Sequence, residues 1–166
     1  MNLSLYERPD GVETEDGPRI VYDIDRGEAF LGSARVDGAA LVWEITGVPR
    51  PGEWIVRCDR IDFPPGGIAY RHVHPGPGIR RILHGELTID RAEGAHTYRT
   101  GEAWFEDADD PVLATASPTD DTAFVRVMLL PAEWAGRRTI RHLDPADDER
   151  PKLQRATILL EAPLDL

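Results

Sequence analysis

Two histidines, one residue apart, are the residues whose type and spacing most directly indicate chemistry in this sequence. His72 and His74 lie on a predicted strand that runs from residue 68 to residue 74. Side chains of a strand alternate between its two faces, so both imidazoles are predicted to lie on the same face. Two neutral imidazoles side by side suit a divalent transition metal such as Zn, Fe, Ni, Cu or Mn. Taken alone the pair is a weak signal, because core or surface histidines can have the same spacing.

The sequence around the pair resembles the first motif of the cupin superfamily. In that motif a glycine and five residues precede HxH, a short loop and usually a glutamate follow, and a strand then ends in glycine. Here Gly66 lies six positions before His72, and ILHGEL resembles the turn that closes the motif at Gly85. Residues 101–112, GEAWFEDADDPV, resemble the second motif in outline. The resemblance implies a jelly-roll barrel that holds one metal, in a family that is commonly dimeric.

The sequence departs from the family pattern at two expected ligands. The family glutamate would align with Gly78, and the histidine of the second motif would align near Val112. Glu106 is the candidate replacement, because cupins ordinarily place an inward-facing apolar residue at its position. A carboxylate buried there needs a metal, an arginine or a bound substrate to compensate it, whereas at an exposed strand end it would simply meet water. With Glu106 the pair would form the two-histidine, one-carboxylate set that supports non-haem Fe(II) oxygen chemistry as well as hydrolytic Zn.

Three further residues are candidate catalytic residues. Tyr70 is separated from His72 by one residue, so it could line the same cavity and offer its hydroxyl as a hydrogen-bond donor or proton carrier. Alternatively, it could be a core aromatic residue whose hydroxyl contacts solvent. Counting across Gly78 places Arg80 and His84 on that face as well. Arg80 could neutralise Glu106 or clamp a substrate carboxylate, and the alternative is a solvated ion pair. His84 could be a late ligand or a general base, or a turn residue at the barrel rim.

Short segments separated by glycine and proline must position these residues. The 14 prolines and 15 glycines are spread along the chain, which favours an all-β sandwich or barrel. The predicted strands are 19–22, 28–36, 40–45, 54–63, 68–74, 80–83, 86–91, 96–100, 102–106, 112–116 and 122–130. One short helix is predicted over 131–138, where Pro131 would occupy the first turn. The polar stretch 140–152 is predicted to be an exposed connection, and the apolar tail ATILLEAPLDL to return to the body.

Composition restricts the kind of protein. The chain has 166 residues, of which 41% are hydrophobic and 30% charged, and these are ordinary values for a folded domain. The formal net charge of -11 argues against general binding to nucleic acid or anionic membranes. No apolar run approaches the roughly twenty residues of a membrane helix, and MNLSLYERPDG lacks the features of a signal peptide, so a cytoplasmic protein is predicted. The single cysteine, Cys58, allows no internal disulfide and is predicted to be a small buried strand residue.

We therefore predict one cupin-like domain over residues 1–166, with an all-β double-stranded β-helix as its fold. The barrel motifs span about 60–130, residues 1–50 add N-terminal strands, and residues 131–166 form a C-terminal extension. The N-terminal segment is expected either to cover the barrel mouth or to build a homodimer interface.

The predicted function is a small-molecule enzyme of oxygenase, isomerase or lyase type that depends on one divalent transition metal. Its partner is a small-molecule substrate, with no nucleic acid and no membrane. Two alternatives stay open: a non-catalytic cupin that binds a small ligand, and a metal-free isomerase or cyclase with His72 as base. Cupins include dioxygenases, isomerases, decarboxylases, sugar-binding regulators and storage proteins, so the fold alone does not name the reaction.

Overall fold

The computed structural model describes residues 3–8, 19–32, 40–45 and 54–164. These residues form two 3-10 helices, Ala132–Trp134 and Pro145–Asp148. They also form fourteen strands: β1 (Leu3–Arg8), β2 (Arg19–Asp23), β3 (Glu28–Gly32), β4 (Ala40–Ile45), β5 (Trp54–Phe63), β6 (Ile68–Val73), β7 (Gly78–His84), β8 (Glu86–Arg91), β9 (Gly94–Arg99), β10 (Ala103–Glu106), β11 (Val112–Ala116), β12 (Thr122–Pro131), β13 (Arg141–His142) and β14 (Arg155–Pro163). No described helix is long and apolar enough to span a membrane.

The strands assemble into three sheets. The N-terminal sheet has the order β3-β2-β1-β4. The central sheet has the order β10-β7-β12-β5-β14, and the facing sheet has the order β13-β6-β11-β8-β9. Side chains of the central and facing sheets share one hydrophobic cluster, so these two sheets pack face to face.

Strands β5 to β12 have the connectivity of a jelly roll. The first of them, β5, pairs with the last, β12, and β7 and β10 continue that sheet. In the facing sheet, β6 pairs with β11, and β8 and β9 follow. All of these pairs are antiparallel, and a double sheet with this order is the jelly roll that cupins use. The all-β prediction is confirmed, and the resemblance to cupins is confirmed at the level of the fold.

The central strands β5 and β12 are buried on both faces because a sheet covers each side. Their outward side chains, including Val56, Cys58 and Val125, pack against Leu5 and Ile20 of the N-terminal sheet. Cys58 is fully buried, as predicted, and burial raises the pKa of its thiol. Because side chains alternate along a strand, the other residues of β5 and β12 point toward the facing sheet and line a common interior.

The helix predicted over 131–138 is much shorter in the structure, which has only the 3-10 helix Ala132–Trp134 in this range. Pro131 is the last residue of β12, and a single 3-10 turn follows it. The guanidinium of Arg57 donates hydrogen bonds to the carbonyl oxygens of Trp134 and Arg137 at 2.9 and 2.8 Å, which ties this segment to β5. The carbonyl oxygen of Trp134 also accepts a hydrogen bond from the amide of Arg137 at 3.0 Å, which is a 3-10 and not an α-helical pairing. Gly136 has a φ of 68°, a left-handed conformation that also ends a helix.

The C-terminal segment partly follows its prediction. The tail returns to the body as β14, which pairs with β5. The stretch predicted as a connection is mostly exposed, but it contains β13, which pairs with β6, and the second 3-10 helix. The predicted strand 28–36 ends at Gly32, and residues 33–36 lie outside the described ranges. The described N-terminal strands pack on the outer side of the central sheet, while the single domain and the homodimer remain predictions.

Candidate functional site

A cavity of about 600 Å³ lies between the central and facing sheets. This volume falls within the range of about 300–1,000 Å³ found for small-ligand sites. Inward residues of both sheets line it, and residues 136–140 and 148–158 complete the wall. His72, His74, Arg80 and Glu106 all lie on its lining, so the fold brings together four of the residues that the sequence singled out.

The two histidines point at each other inside this cavity. Each is 4% exposed, and their Nε2 atoms are 3.2 Å apart. The Nδ1 atom of His72 lies 2.7 Å from the carbonyl oxygen of Tyr70, and Nδ1 of His74 lies 3.2 Å from that of Thr139. A carbonyl oxygen can only accept a hydrogen bond, so each Nδ1 carries a hydrogen and each neutral ring has its lone pair on Nε2.

Burial keeps both rings neutral. It lowers the pKa of His72 to about 4, although the hydrogen bond to Tyr70 and the charge of Glu106 act in the opposite direction. The pKa of His74 lies well below its usual value, because burial and the charges of Arg126 and Arg80 disfavour the imidazolium. At neutral pH the two Nε2 lone pairs therefore face each other with no proton between them.

The segment after the histidines is tied to the turn between β10 and β11 and to β12. The amide of Asp109 donates to the carbonyl oxygen of His74 at 2.8 Å, and the amide of Leu129 donates to that of Pro77 at 3.0 Å. Gly76 lies so close to β12 that a Cβ added to it would be 1.8 Å from the carbonyl oxygen of Leu129. Only glycine allows this approach of the loop to the strand.

A row of charged residues crosses the central sheet opposite the histidines. The strand registers place Trp104, Arg80, Arg126 and Asp59 side by side on β10, β7, β12 and β5. All of them line the cavity, as do Glu106 and Arg57, which lie two residues along β10 and β5. We call Arg57, Asp59, Arg80, Glu106 and Arg126 the charged band.

The neighbouring part of the interior is apolar. One residue pair further along the central sheet, Phe124 lies opposite Ile61, and the facing sheet contributes aliphatic residues from β6, β8 and β11. We call the cavity-lining part of this cluster the apolar zone; it consists of Ile61, Phe63, Ala69, Leu87, Ile89, Val112, Ala114 and Phe124. The cavity thus has one charged and one apolar part.

In the charged band, Arg80 compensates the buried carboxylate of Glu106. Nη2 of Arg80 lies 2.7 Å from Oε2 of Glu106, though it is not aligned as a hydrogen-bond donor, and Nε1 of Trp104 donates to Oε1 at 2.7 Å. Burial alone would raise the pKa of Glu106, but the charge of Arg80 and the Trp104 hydrogen bond bring it below its usual value. The sequence analysis expected a metal, an arginine or a substrate to compensate a buried Glu106, and in the structure an arginine does so.

The same arginine occupies the space beside Gly78, the position where the resemblance to cupins predicts a glutamate. Nη1 of Arg80 donates to the carbonyl oxygen of Gly78 at 2.6 Å. A Cβ at Gly78 would be 3.0 Å from this Nη1 and 2.5 Å from the carbonyl oxygen of Val127. Arg80 and β12 therefore occupy the space that a glutamate side chain would need.

Arg126 connects the charged band to the histidines. Its Nη2 donates a short hydrogen bond to Oδ2 of Asp59, and its Nη1 lies 3.4 Å from Nε2 of His74. Oδ1 of Asp59 and Nε of Arg126 are buried without a hydrogen-bond partner among the residues that the structure describes. This part of the band has unused hydrogen-bonding capacity.

The structure corrects the predicted positions of Tyr70 and His84. Within the described chain, the cavity lining includes neither. Four residues of β6, from Ala69 to His72, lie opposite three residues of β11, from Ala114 to Val112, and this bulge reverses the parity on which Tyr70 was placed. Tyr70 packs instead beneath the Arg150 guanidinium, 4.7 Å from its ring centre. A second register shift affects His84, which is exposed and contacts the carbonyl oxygen of Asp121.

The sequence analysis missed Asp59, Arg126 and Arg57. Arg126 interrupts the apolar run AFVRVMLL, and Arg57 and Asp59 alternate with apolar residues in WIVRCDRIDF. A charge in the middle of an otherwise apolar strand is a signal for a polar interior, since a charge is rarely buried without a partner. The described residues contain no group of three or more His, Cys, Asp or Glu side chains placed to hold a metal. Glu106 as a metal ligand therefore stays a prediction.

Strand order and interior together define the class: a jelly-roll barrel of the cupin type with a buried histidine pair and a charged band. Similar solved structures include an RmlC-like cupin from Shewanella frigidimarina, with 18% identity, 47% of this chain and 68% of that chain covered, and a TM-score of 0.42. The polyketide cyclase RemF from Streptomyces resistomycificus shows 17% identity over 60% of this chain and 78% of its own, with a TM-score of 0.45.

The DMSP lyase DddQ from Ruegeria pomeroyi is also similar, with 19% identity, 54% of this chain and 44% of that chain covered, and a TM-score of 0.47. No protein-family model matches the chain, and no curated protein matches its sequence. Similarities at this level assign no activity, so the function has to be argued from the site.

Proposed function

We propose that this protein is a small-molecule enzyme that binds one divalent transition metal through His72 and His74. The facing Nε2 lone pairs, 3.2 Å apart, support this proposal most strongly. Their tautomers are fixed by the two backbone carbonyls, and burial disfavours a bridging proton. A divalent cation would satisfy both lone pairs at once.

The spacing of the two nitrogens fits a shared ion. Metal–nitrogen distances of about 2.0–2.1 Å place two ligands of one ion roughly 3 Å apart at tetrahedral or octahedral angles. Ligating histidines also commonly donate their second N–H to a carbonyl, which holds the ring in the correct tautomer. Both rings have this arrangement. The oxygens of Glu106 contact Trp104 and Arg80, so solvent or substrate would fill the other positions.

A bound divalent ion would supply polarisation of a substrate oxygen or activation of a water molecule. The residues around it would position the substrate. Arg126 presents a positive charge beside His74, and Oδ1 of Asp59 can accept a hydrogen bond or a proton from a substrate hydroxyl. The apolar zone would contact the apolar part of the substrate. Because the carboxylate of Glu106 is held by Arg80, isomerase or lyase chemistry is favoured over oxygenase chemistry that uses a carboxylate ligand.

The contact between Arg126 and His74 supports a second candidate function. Nη1 of Arg126, at 3.4 Å, can donate to Nε2 of His74 in place of a metal. His72 would then be a neutral base opposite the charged band, and a metal-free isomerase or cyclase needs such a base.

Elemental analysis tests the proposal. The protein would be purified without chelator or nickel resin and compared with the His72→Ala/His74→Ala variant and with His84→Ala/His96→Ala, which removes two exposed histidines. We expect about one transition metal per chain in the parent and in the exposed-histidine control, and none in His72→Ala/His74→Ala, with unchanged β-sheet circular dichroism in all three. Metal retained by His72→Ala/His74→Ala, or absent from the parent, would contradict the proposal. Turnover by a metal-free parent would favour the second candidate.

A further inference from the structure

The lining of the cavity is opposite in sign to the protein as a whole. The chain has a net charge of -11, yet among the residues that the structure describes seven basic and three acidic side chains line the cavity. Two of the basic residues have partners outside the lining, since Arg57 pairs with Glu161 at 2.5 Å and Arg150 with Asp147 at 3.1 Å. With these pairs counted, positive charge still exceeds negative charge. Such a lining attracts an anion into the barrel.

The charged band itself contains more hydrogen-bond donors than acceptors. Each guanidinium has five N–H groups, and Arg80 and Arg126 lie directly opposite each other on β7 and β12. Like charges in this relation are unfavourable unless other groups compensate them. Glu106 and Asp59 supply one carboxylate each, and Nε of Arg126 still has no partner among the described residues. One further anionic acceptor would complete the set.

The apolar zone indicates what the rest of this ligand is like. Phe124 is two residues from Arg126 on the same face of β12, a separation of about 6.8 Å along a strand. Ile61 lies opposite Phe124, and Ala69 and Ala114 of the facing sheet line the same part of the cavity. A ligand that reaches from Arg126 into this zone therefore has an acidic group at one end and an apolar body at the other.

A carboxylate fits the acidic end better than a phosphate. Arginine pairs favourably with a carboxylate, whose single negative charge is less costly to bury than the double charge of a phosphate monoester. Of the charged band, Arg126 has the most accessible side chain, at 8%, against 1% for Arg80 and 3% for Arg57. Arg126 is thus the cation that the band offers to the cavity.

We propose that the barrel binds a monocarboxylate with an apolar body, its carboxylate paired with Arg126 beside His74 and its body against Phe124 and Ile61. This inference rests on the proposed function in one respect: the carboxylate is taken to be the substrate of the proposed metal centre. The recognition itself is assigned to Arg126 and the apolar zone, which are separate from the metal ligands.

Calorimetric titration with four probes tests the two ends of the ligand. Phenylacetate has both ends, acetate lacks the body, phenylacetamide lacks the charge, and phenyl phosphate exchanges the anion. We expect phenylacetate to bind at least about tenfold more tightly than each of the others, with chelator-treated and with metal-loaded protein. Equal affinity for phenylacetamide would overturn the inference. Tighter binding of phenyl phosphate would also overturn it, because the preferred acidic group would then be a phosphate and not a carboxylate.

Variants then locate the recognition. Asp59→Asn/Arg126→Gln removes both members of the ion pair together, which avoids leaving a lone buried charge, and we expect it to lose about tenfold or more in affinity for phenylacetate. Arg126→Lys should bind with intermediate affinity, and Arg99→Gln, at an exposed surface pair, should match the parent. Undiminished affinity in folded Asp59→Asn/Arg126→Gln would overturn the inference.

The metal analysis separates the two proposals. A parent that selects phenylacetate but holds no metal would sink the proposed function and leave the inference standing. A parent that holds metal on His72 and His74 but binds phenylacetate no better than phenylacetamide would support the proposed function and overturn the inference.

Discussion

The charged band and the apolar zone face the same interior, and on β5 and β12 they lie only two residues apart, at Asp59 and Ile61 and at Arg126 and Phe124. In the apolar zone, contact between hydrocarbon surfaces is sufficient, so Phe124 and Ile61 stabilise the fold by burial alone. In the charged band every group depends on a particular partner, and buried ion pairs contribute little net stability because desolvation offsets their attraction. The apolar zone therefore accounts for the stability of the barrel, and the charged band is better explained by binding.

Arg80→Ala should have the largest effect on stability. It leaves the carboxylate of Glu106 buried beside Trp104 without its main compensating charge, and breaking a buried pair in this way costs about 3–5 kcal/mol. Urea unfolding followed by circular dichroism would measure the loss. Arg99→Ala, which breaks an exposed pair with Glu86, should change the free energy of unfolding by less than about 1 kcal/mol. Similar losses in both variants would show that the charged band does not differ from the surface.

Acid should destabilise the metal-free protein through His72. Its pKa is about 4 in the folded state and about 6.5 in the unfolded chain, so the unfolded state binds more protons between these values. The stabilisation is fully present above pH 6.5 and is lost as the pH falls toward 4, by an amount of the order of 3 kcal/mol.

Urea unfolding of chelator-treated protein at several pH values between 7 and 4 would measure this loss. His72→Gln cannot titrate, so its stability should fall less over the same range. The apolar zone contains no titratable side chain, and an unchanged acid sensitivity in His72→Gln would mean that the loss arises elsewhere.

Ile61→Val should have the smallest effect. It removes one methylene from the apolar zone, where neighbouring side chains and the cavity can adjust, at a cost of about 0.5–1.5 kcal/mol. Thermal and urea unfolding would measure it, and the affinity for phenylacetate should fall only slightly. A loss of affinity as large as that of Asp59→Asn/Arg126→Gln would mean that the apolar zone, and not Arg126, dominates recognition.

Most of the fold, but only part of the candidate site, could be predicted from the sequence. Alternation of apolar residues and the spacing of glycine and proline predicted most barrel strands, because these signals are local. The position of Tyr70 could not be obtained in this way, since the bulge in β6 depends on its pairing with β11. Counting residues along one strand predicts which face a side chain occupies only where the strand pairing is regular.

Partnerships across the sheet were the harder part to predict. Arg80 was correctly placed on the inner face, but its position opposite Arg126 follows from the pairing of β7 with β12, which are far apart in sequence. The helix predicted over 131–138 is reduced to one 3-10 turn, and the hydrogen bonds that Arg57 of β5 donates to the carbonyls of Trp134 and Arg137 also come from a distant strand. Each of these features depends on contacts between distant segments, which one sequence does not reveal.

The close approach of Gly76 to β12 bears on the entropy of binding. Hydrogen bonds at His74 and Pro77 fix the loop to Asp109 and Leu129, so the histidines are already immobilised before any ion or ligand arrives. The conformational cost of ordering these rings is met during folding and does not recur on binding. Rigidity acquired at Gly76, a residue without a side chain, would thus favour tight binding at the proposed metal site, which offers only two nitrogens.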